Sequence, residues 1–309
     1  MPNYDTALLV KVAEMYFYQG LSQKEIGRML SLSSATVSRL LKEGYTSKII
    51  RVQIADINGS HEELAKVIKE TYGLESVTIV DTPNLCDERL LKKYIGQTAK
   101  GVLASVLKPD AIVGVGVGGT IWEMISSFKS GEIPYSINVV SLMGGWSEST
   151  SLNEESISIL YRMSQTIGCS CKALLAPSVL ASNTAKKELM KEPEIRKVTD
   201  LWQRLDAAVF GIGPSINDSS HRIIYGSDLT DVTGDICGWP ITKEGTVFKS
   251  DLDDRLMAIS PELLRRTPIR IGIGGGSAKC ANTISALKGG FVTHLVTDYE
   301  TALFIKDHG

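Results

Sequence analysis

Histidine and cysteine are scarce in this chain of 309 residues, which has four of the first and five of the second. His61, His221, His294 and His308 show no spacing that would set ligands around a metal. Cys86, Cys169, Cys171, Cys237 and Cys280 are odd in number, irregularly spaced and contain no C-x-x-C. That excludes a disulfide framework and a thioredoxin-like redox motif. Only Cys169 and Cys171 stand close, and in a strand they would share a face. Free, reduced cysteines packed as small apolar residues are the simpler reading. Long apolar runs are missing too, since no stretch reaches the roughly 18 residues of a membrane span. The opening residues, MPNYDTALLVKVAEM, lack the basic region and cleavage site of a secretory leader. The expected compartment is therefore the cytoplasm. The G-x-x-x-x-G-K-[ST] nucleotide loop is absent, and no cofactor is expected.

Neither sign of charge dominates. Lysine and arginine number 33 against 35 aspartates and glutamates, a net charge of −2. Such a balance argues against a nucleic-acid partner until its distribution is read. Residues 1–55 carry a surplus of three positive charges, and the remainder a surplus of five negative ones. A modest positive head suits phosphate contacts but binds weakly as a single copy, so dimers or larger assemblies are expected.

That head contains GLSQKEIGRMLSLSSATVSRLLKEGYTSKIIR, residues 20–51. Ser22 and Glu25 form an S-x-x-E capping box. Ile26, Met29 and Leu30 then recur at helical spacing. A turn at Ser31–Ser33 follows, and Ser33 caps a second helix with Val37, Leu40 and Leu41 on its inner stripe. The opposite face is centred on Ala35, Arg39 and Lys42, flanked by Thr36 and Ser38. Such a small, donor-rich face, braced by another helix, fits the DNA major groove. Periodicity alone is met equally well by a helix pair in any domain. The words L-S-Q-K-E-I-G and T-V-S-R-L-L tip the reading, because they resemble winged helix-turn-helix regulators. The expected DNA contacts are Ser34, Ala35, Thr36, Ser38 and Arg39 to bases, and Ser22, Gln23, Lys24, Lys42 and Lys48 to phosphates. A helix over Asp5–Tyr18, with Leu8, Leu9, Val12, Met15 and Tyr16 inward, precedes the motif. A turn over Gly44–Lys48 and a strand over Ile49–Ile54 would complete the wing. The polar stretch 56–60 marks the domain boundary, dividing the chain into 1–55 and 56–309.

Beyond it, helices alternate with apolar strands over 76–80, 111–117, 137–142, 171–175, 207–211, 269–273 and 294–296. This pattern predicts an α/β domain with a doubly wound, mainly parallel sheet. Residues 213–260 are irregular and cannot be traced. Glycines follow several strands: Gly114–Thr120, Gly144-Gly145, Gly211–Gly213 and Gly272–Ser277. Ligands of open parallel sheets bind beyond the carboxyl ends of the strands, where glycine lets backbone amides approach an anion. The candidate effector residues are Gly116, Gly118, Gly119, Thr120, Gly144, Gly145, Asp235, Gly274, Gly275, Gly276, Ser277 and Lys279. Asp235 is equally readable as a turn aspartate bonding its own backbone. Gly114-x-Gly116-x-x-Gly119 matches a dinucleotide fingerprint formally, but the next strand ends Ser141-Leu142-Met143-Gly144 without the carboxylate that holds the ribose.

These glycine words, with IGIGGGSAKCANTISALKGGFVTHLVTDYETA at residues 271–302, resemble the SorC family of sugar-responsive transcriptional regulators. The resemblance spans nearly the whole chain. It implies a winged helix-turn-helix joined to a sugar-phosphate-binding domain of ribose-phosphate isomerase or glucosamine-phosphate deaminase type. The family's phosphate loop matches Gly274–Lys279, its pocket aspartate Asp235, and its first glycine loop Gly114–Thr120. Val117 stands where many members carry Trp, a departure that bears on ligand identity more than ligand class. The resemblance implies an operator-binding regulator, assembled as a dimer or tetramer, and controlled by a phosphorylated sugar or polyol. A repressor released by inducer is the expected form. The alternatives are a sugar-phosphate isomerase or deaminase using Asp235 or Asp298 as base, and a redox sensor built on Cys169 and Cys171.

Overall fold

The computed structural model describes residues 5–17, 19–47, 49–50, 60–82, 87–145, 152, 155–213 and 229–309. The chain forms two compact units, residues 1–57 and 58–309. The first holds α1 (Thr6–Phe17), α2 (Gln23–Leu30) and α3 (Ser34–Thr46). Their core is Leu9, Val12, Met15, Ile26, Val37, Leu40, Leu41 and Ile50, each 7% exposed or less. Two details depart from expectation. Met29 is 64% exposed, because the inner stripe of α2 passes through Ile26 and Gly27 instead. Gly44–Thr46 continue α3 rather than turning, since a glycine there lets Ile50 pack directly on the helix. Ile49 and Ile50 are bends, not strand. Lys48, the expected strand residues 51–54 and the boundary residues 56–59 lie outside the described residues, as do Cys86 and His221.

The second unit is an α/β sandwich of helices on a seven-stranded sheet. Its strands are β1 (Ser76–Val80), β2 (Ile112–Val115), β3 (Asn138–Ser141), β4 (Ser170–Lys172), β5 (Ala207–Gly211), β8 (Ile269–Ile273) and β9 (His294–Asp298). They lie in the order β1-β9-β8-β5-β2-β3-β4, every pair parallel. Side chains alternate between two cores, as the period-two pleat requires. Val113, Val115, Val209, Ile271, Ile273 and Val296 face α5 (Glu88–Val106), α6 (Gly119–Ser126) and α7 (Ser156–Ile167). Ala208, Phe210 and Leu295 face α4 (Ser60–Tyr72), α9 (Pro193–Thr199), α10 (Pro261–Arg266), α11 (Cys280–Lys288) and α12 (Tyr299–His308). The remaining helix, α8, spans Asn183–Leu189. Each Val, Ile, Leu or Phe buried on one or other face of such a sheet contributes roughly 1.5–3 kcal/mol.

From β2 the chain moves outward through β3 and β4 to one edge. It then returns to β5, on the other side of β2. The strand order therefore reverses at β2, and the loops after β2 and β5 part at their carboxyl ends, which defines the ligand crevice of open α/β sheets. The stretch 213–260, where described, contains a hairpin of β6 (Val232–Ile236) and β7 (Trp239–Thr242). Its two-residue turn is Cys237-Gly238, both at positive φ, 50° and 80°. Cys237 adopts a conformation that side chains avoid and that Asn-Gly normally fills. The expected strands at 111–117 and 171–175 are shorter. Leu175 lies beyond β4 and is 67% exposed. Among the described residues, no helix is long and apolar enough to cross a membrane.

Candidate DNA-reading face and effector site

In the first unit the turn between α2 and α3 is fixed by contacts the sequence supplies. Ser22 Oγ accepts from Glu25 N at 3.3 Å, and Ser22 N donates to Glu25 Oε2 at 2.8 Å. The Ser22 hydroxyl also donates to that carboxylate, at 2.7 Å. These bonds hold the Glu25 carboxyl below the usual carboxylate range, with Arg28 adding a smaller part. They also engage the proton that Ser22 was expected to offer a phosphate. Ser31 takes the left-handed conformation, φ 55°. Leu32 N then donates to Gly27 O at 2.8 Å, and any Cβ on Gly27 would meet the Leu32 carbonyl oxygen at 2.6 Å.

Ser33 caps α3, accepting from Thr36 N at 3.0 Å. Val37, Leu40, Leu41 and Gly44 are buried. Ser34, Ala35, Ser38, Arg39 and Lys42 are exposed together on the opposite face, and Lys24 is exposed on α2. Thr36 and Gln23 are half-buried, and the Thr36 hydroxyl sits 2.8 Å from that of Ser33. Thr36 therefore supports the cap before it can read a base. Arg28, not among the expected contacts, is a further exposed cation on α2.

In the second unit the glycine loops do meet at the carboxyl edge of the sheet, but they do different jobs. Gly116 N donates to Val209 O at 2.9 Å, which continues the β2–β5 pairing. Gly118, at φ 113°, is the cap residue of α6, and Gly119 opens the helix. Thr120 is buried, 5% exposed, in the first turn. Gly144 N donates to Met257 O and Gly145 N to Ala176 O, both at 2.9 Å. These two amides are engaged in backbone pairing and are not presented to an anion. What Gly144 contributes is the lack of a side chain, since a Cβ would lie 2.8 Å from Pro177 O and against Ala176 O.

The Gly274–Lys279 segment is organised from beneath. Gly274 N donates to Val296 O at 3.1 Å. Gly276, at φ 88°, directs its amide to Asp298 Oδ2 at 2.8 Å and Thr301 Oγ1 at 3.0 Å. Asp298 is 2% exposed and caps α12, accepting from Thr301 N at 3.0 Å and Thr301 Oγ1 at 2.7 Å. Ser277–Lys279 form a 3-10 turn, so α11 proper begins at Cys280 and not at Ala278. The Ser277 and Ala278 amides open this helical segment and have no acceptor within it. Lys279 ends the turn half-buried. Glu88, at the head of α5, is held below the ordinary carboxylate range chiefly by Lys92, whose Nζ lies 2.8 Å from Oε1. Lys279 adds a smaller electrostatic part. Lys92 is a cation that sequence reading missed, on the turn of α5 whose Leu91 and Ile95 lie against Gly276 and Gly275, because helix patterning gives it only a solvated face.

Asp235 lies on β6, half-buried, and its Oδ2 accepts from Gly238 N at 2.9 Å across the hairpin turn. This bond gives Asp235 the turn-aspartate role. The hairpin is also tied to the end of β5. Gly213 N donates to Asp235 O at 3.1 Å, and Asn282 Nδ2 donates to Gly213 O and Asp235 O, both at 3.0 Å. Asn282 ties α11, the end of β5 and the hairpin together. Both aspartates are bonded within the fold, Asp235 to Gly238 N and Asp298 to Gly276 N and Thr301 Oγ1. Cys169 and Cys171 lie with their sulfurs 3.4 Å apart. Cys171 donates to Leu160 O at 3.3 Å, and its thiol is pushed up by the Cys169 neighbour and by burial. Among the described residues, no three His, Cys, Asp or Glu side chains cluster as a metal site.

Known proteins resemble both parts of the chain. Residues 57–305 match the Sugar-bind family model, a sugar-binding domain, and residues 11–47 match Sigma-70 region 4. The chain is 26% identical over 306 residues to the sorbitol operon regulator of Klebsiella pneumoniae, covering 96% of this chain and 97% of that protein. It is 27% identical over 309 residues to the transcriptional regulator LsrR of Escherichia coli K12, covering 96% and 93%. The crystal structure of the full-length sorbitol operon regulator SorC superposes with a TM-score of 0.75 at 24% identity, over 98% of this chain and 100% of that one. These relatives are regulators, not enzymes. With a helix-turn-helix head and a sugar-binding-family body, the chain belongs to the SorC family of DNA-binding transcriptional regulators.

Proposed function

We propose that the protein regulates a carbohydrate-utilisation operon and that a phosphorylated sugar or polyol, bound at the carboxyl edge of the sheet, controls its grip on the operator. The observation that carries this reading is the Gly274–Lys279 segment. It combines glycine backbone, the unpaired first amides of a helical turn, and Lys279 with Lys92 nearby. Backbone amides and lysine together favour a phosphate over an uncharged hydroxyl. Ser34, Ala35, Ser38 and Arg39 read bases, while Lys24, Arg28 and Lys42 hold phosphates. In this reading the protein works in the cytoplasm as a dimer or tetramer, because one head with three surplus charges binds too weakly alone. Repression relieved by inducer is the proposed sense of control.

A thermal-shift screen tests the effector class. A ligand that binds only the folded state at a hundred times its Kd stabilises it by about 2.7 kcal/mol. Phosphorylated sugars and polyols should raise the melting temperature where their unphosphorylated counterparts do not. Equal shifts from both would remove the phosphate from the proposal.

A further inference from the structure

The effector loop and the start of the second unit are joined by a short run of contacts. Asp298 holds the Gly276 amide from below, at 2.8 Å. The next residue, Tyr299, opens α12, and its ring packs on His61 with centroids 4.8 Å apart and planes tilted by 33°. His61 Nδ1 lies 3.1 Å from Asp81 Oδ1, and Asp81 follows β1 directly. Val80, the last residue of β1, is in register with Asp298, so the aspartate pair flanks one strand end. His61 is the second residue of α4, immediately after the segment that leads from the DNA-reading unit.

We propose that Tyr299 and His61 are positioning residues that pass the state of the effector loop to the first turn of α4. The idea rests on the reading of Gly274–Lys279 as the effector loop. Asp298 and an incoming anion both interact with the same short stretch of amides. An anion drawn to Gly275–Ala278 shifts Gly276 relative to Asp298, and the α12 cap shifts with it. Asp298 and Tyr299 are covalent neighbours, so the displacement reaches the His61 ring without crossing solvent. Asp81 fixes the other side of that ring, which turns a shift of Tyr299 into a tilt of α4 instead of a slide of the imidazole. A ligand acts at a distance only through such a difference in contacts between two arrangements.

Hydrogen exchange on the full chain tests this without knowledge of effector or operator. Thr301→Val removes one acceptor of the Gly276 amide and one donor to Asp298. It should raise exchange in residues 274–280 by about tenfold and in residues 64–68, whose amides bond the first-turn carbonyls of α4, by about threefold. In a Tyr299→Ala background the loop effect should persist while Thr301→Val adds nothing further at residues 64–68. Tyr299→Phe, which keeps the ring, should restore the transmitted effect. Exchange at 64–68 that ignores Thr301→Val, or that rises equally with and without the Tyr299 ring, overturns the proposal. If Thr301→Val does not fold, Asp298→Asn, which replaces one acceptor oxygen with a donor, disturbs the same Gly276 contact and is read by the same outcomes. Saturating inorganic phosphate forms a separate arm. A loop unresponsive to phosphate, with the mutant cycle intact, would sink the anion site and leave the relay standing.

Discussion

The exposed face of α3 and the loop after β8 present opposite surfaces to the anionic partners proposed for them. On α3 side chains make the surface: Ser34, Ser38, Arg39 and Lys42 project from a helix whose other face is buried. At residues 274–276, side chains are excluded. A Cβ on Gly275 would collide with Ile95 and Asp298, and Gly276 needs positive φ. A face that reads bases must vary its side chains to change sequence preference. A loop that holds a phosphate must keep its backbone. Substitutions should therefore retune the first gradually and break the second abruptly.

The sharpest test removes a side chain from the reading face. Arg39→Ala should weaken binding to a duplex selected by the wild-type protein by up to about a hundredfold, the scale of one lost base contact, with effector-induced melting shifts unchanged. Wild-type affinity in that variant would mean α3 is not the reading helix. Next, Lys279→Ala should weaken a phosphorylated effector by about tenfold in calorimetry while operator affinity stays as it was, since one charge-assisted hydrogen bond is lost. Gly144→Ala probes a glycine whose amide is already engaged. It should lower folding stability by about 1–3 kcal/mol in urea denaturation, through the carbonyls of Ala176 and Pro177, with effector affinity of the folded protein preserved.

The smallest effect concerns pH. The Glu25 carboxyl is depressed in the folded head by its bonds to Ser22. Its contribution is therefore complete above its ordinary value of 4.5 and is lost as pH falls through the lower folded value. Protection of the α2 amides, corrected for intrinsic exchange, should exceed that of Glu25→Gln near neutrality and converge with it in acid. A gap that persists in acid would show that the carboxylate is not the cause.

Much of this was legible in the chain. The central strands of the main sheet stand out as apolar runs, because strands buried on both faces need no polar alternation, whereas the edge strand β4 is Ser-Cys-Lys, exposed at both ends. The capping serines of α2 and α3 were readable for the same local reason: Ser22 and Ser33 bond amides three residues on. The hairpin at 232–242 was not, since its turn is Cys-Gly in place of Asn-Gly, and the strained Cys237 is held by burial. Nor could spacing show which acceptor inside the fold each glycine amide takes. Gly144 and Gly276 look alike in sequence. Only their partners, Met257 O for one and the Asp298 carboxylate for the other, tell them apart. The part of Asp298 was hidden in the string T-D-Y-E-T, whose aspartate and threonine lie one helical turn apart.

The place of β1 has a consequence for biosynthesis. Among the described residues, β1 (Ser76–Val80) hydrogen-bonds only to β9, more than two hundred positions later in the chain. Local contacts let the three-helix head form as soon as it leaves the ribosome, whereas this outer edge waits until residue 298 has been translated. A growing or prematurely terminated chain would therefore have a formed head attached to a body whose β1 edge is unpaired.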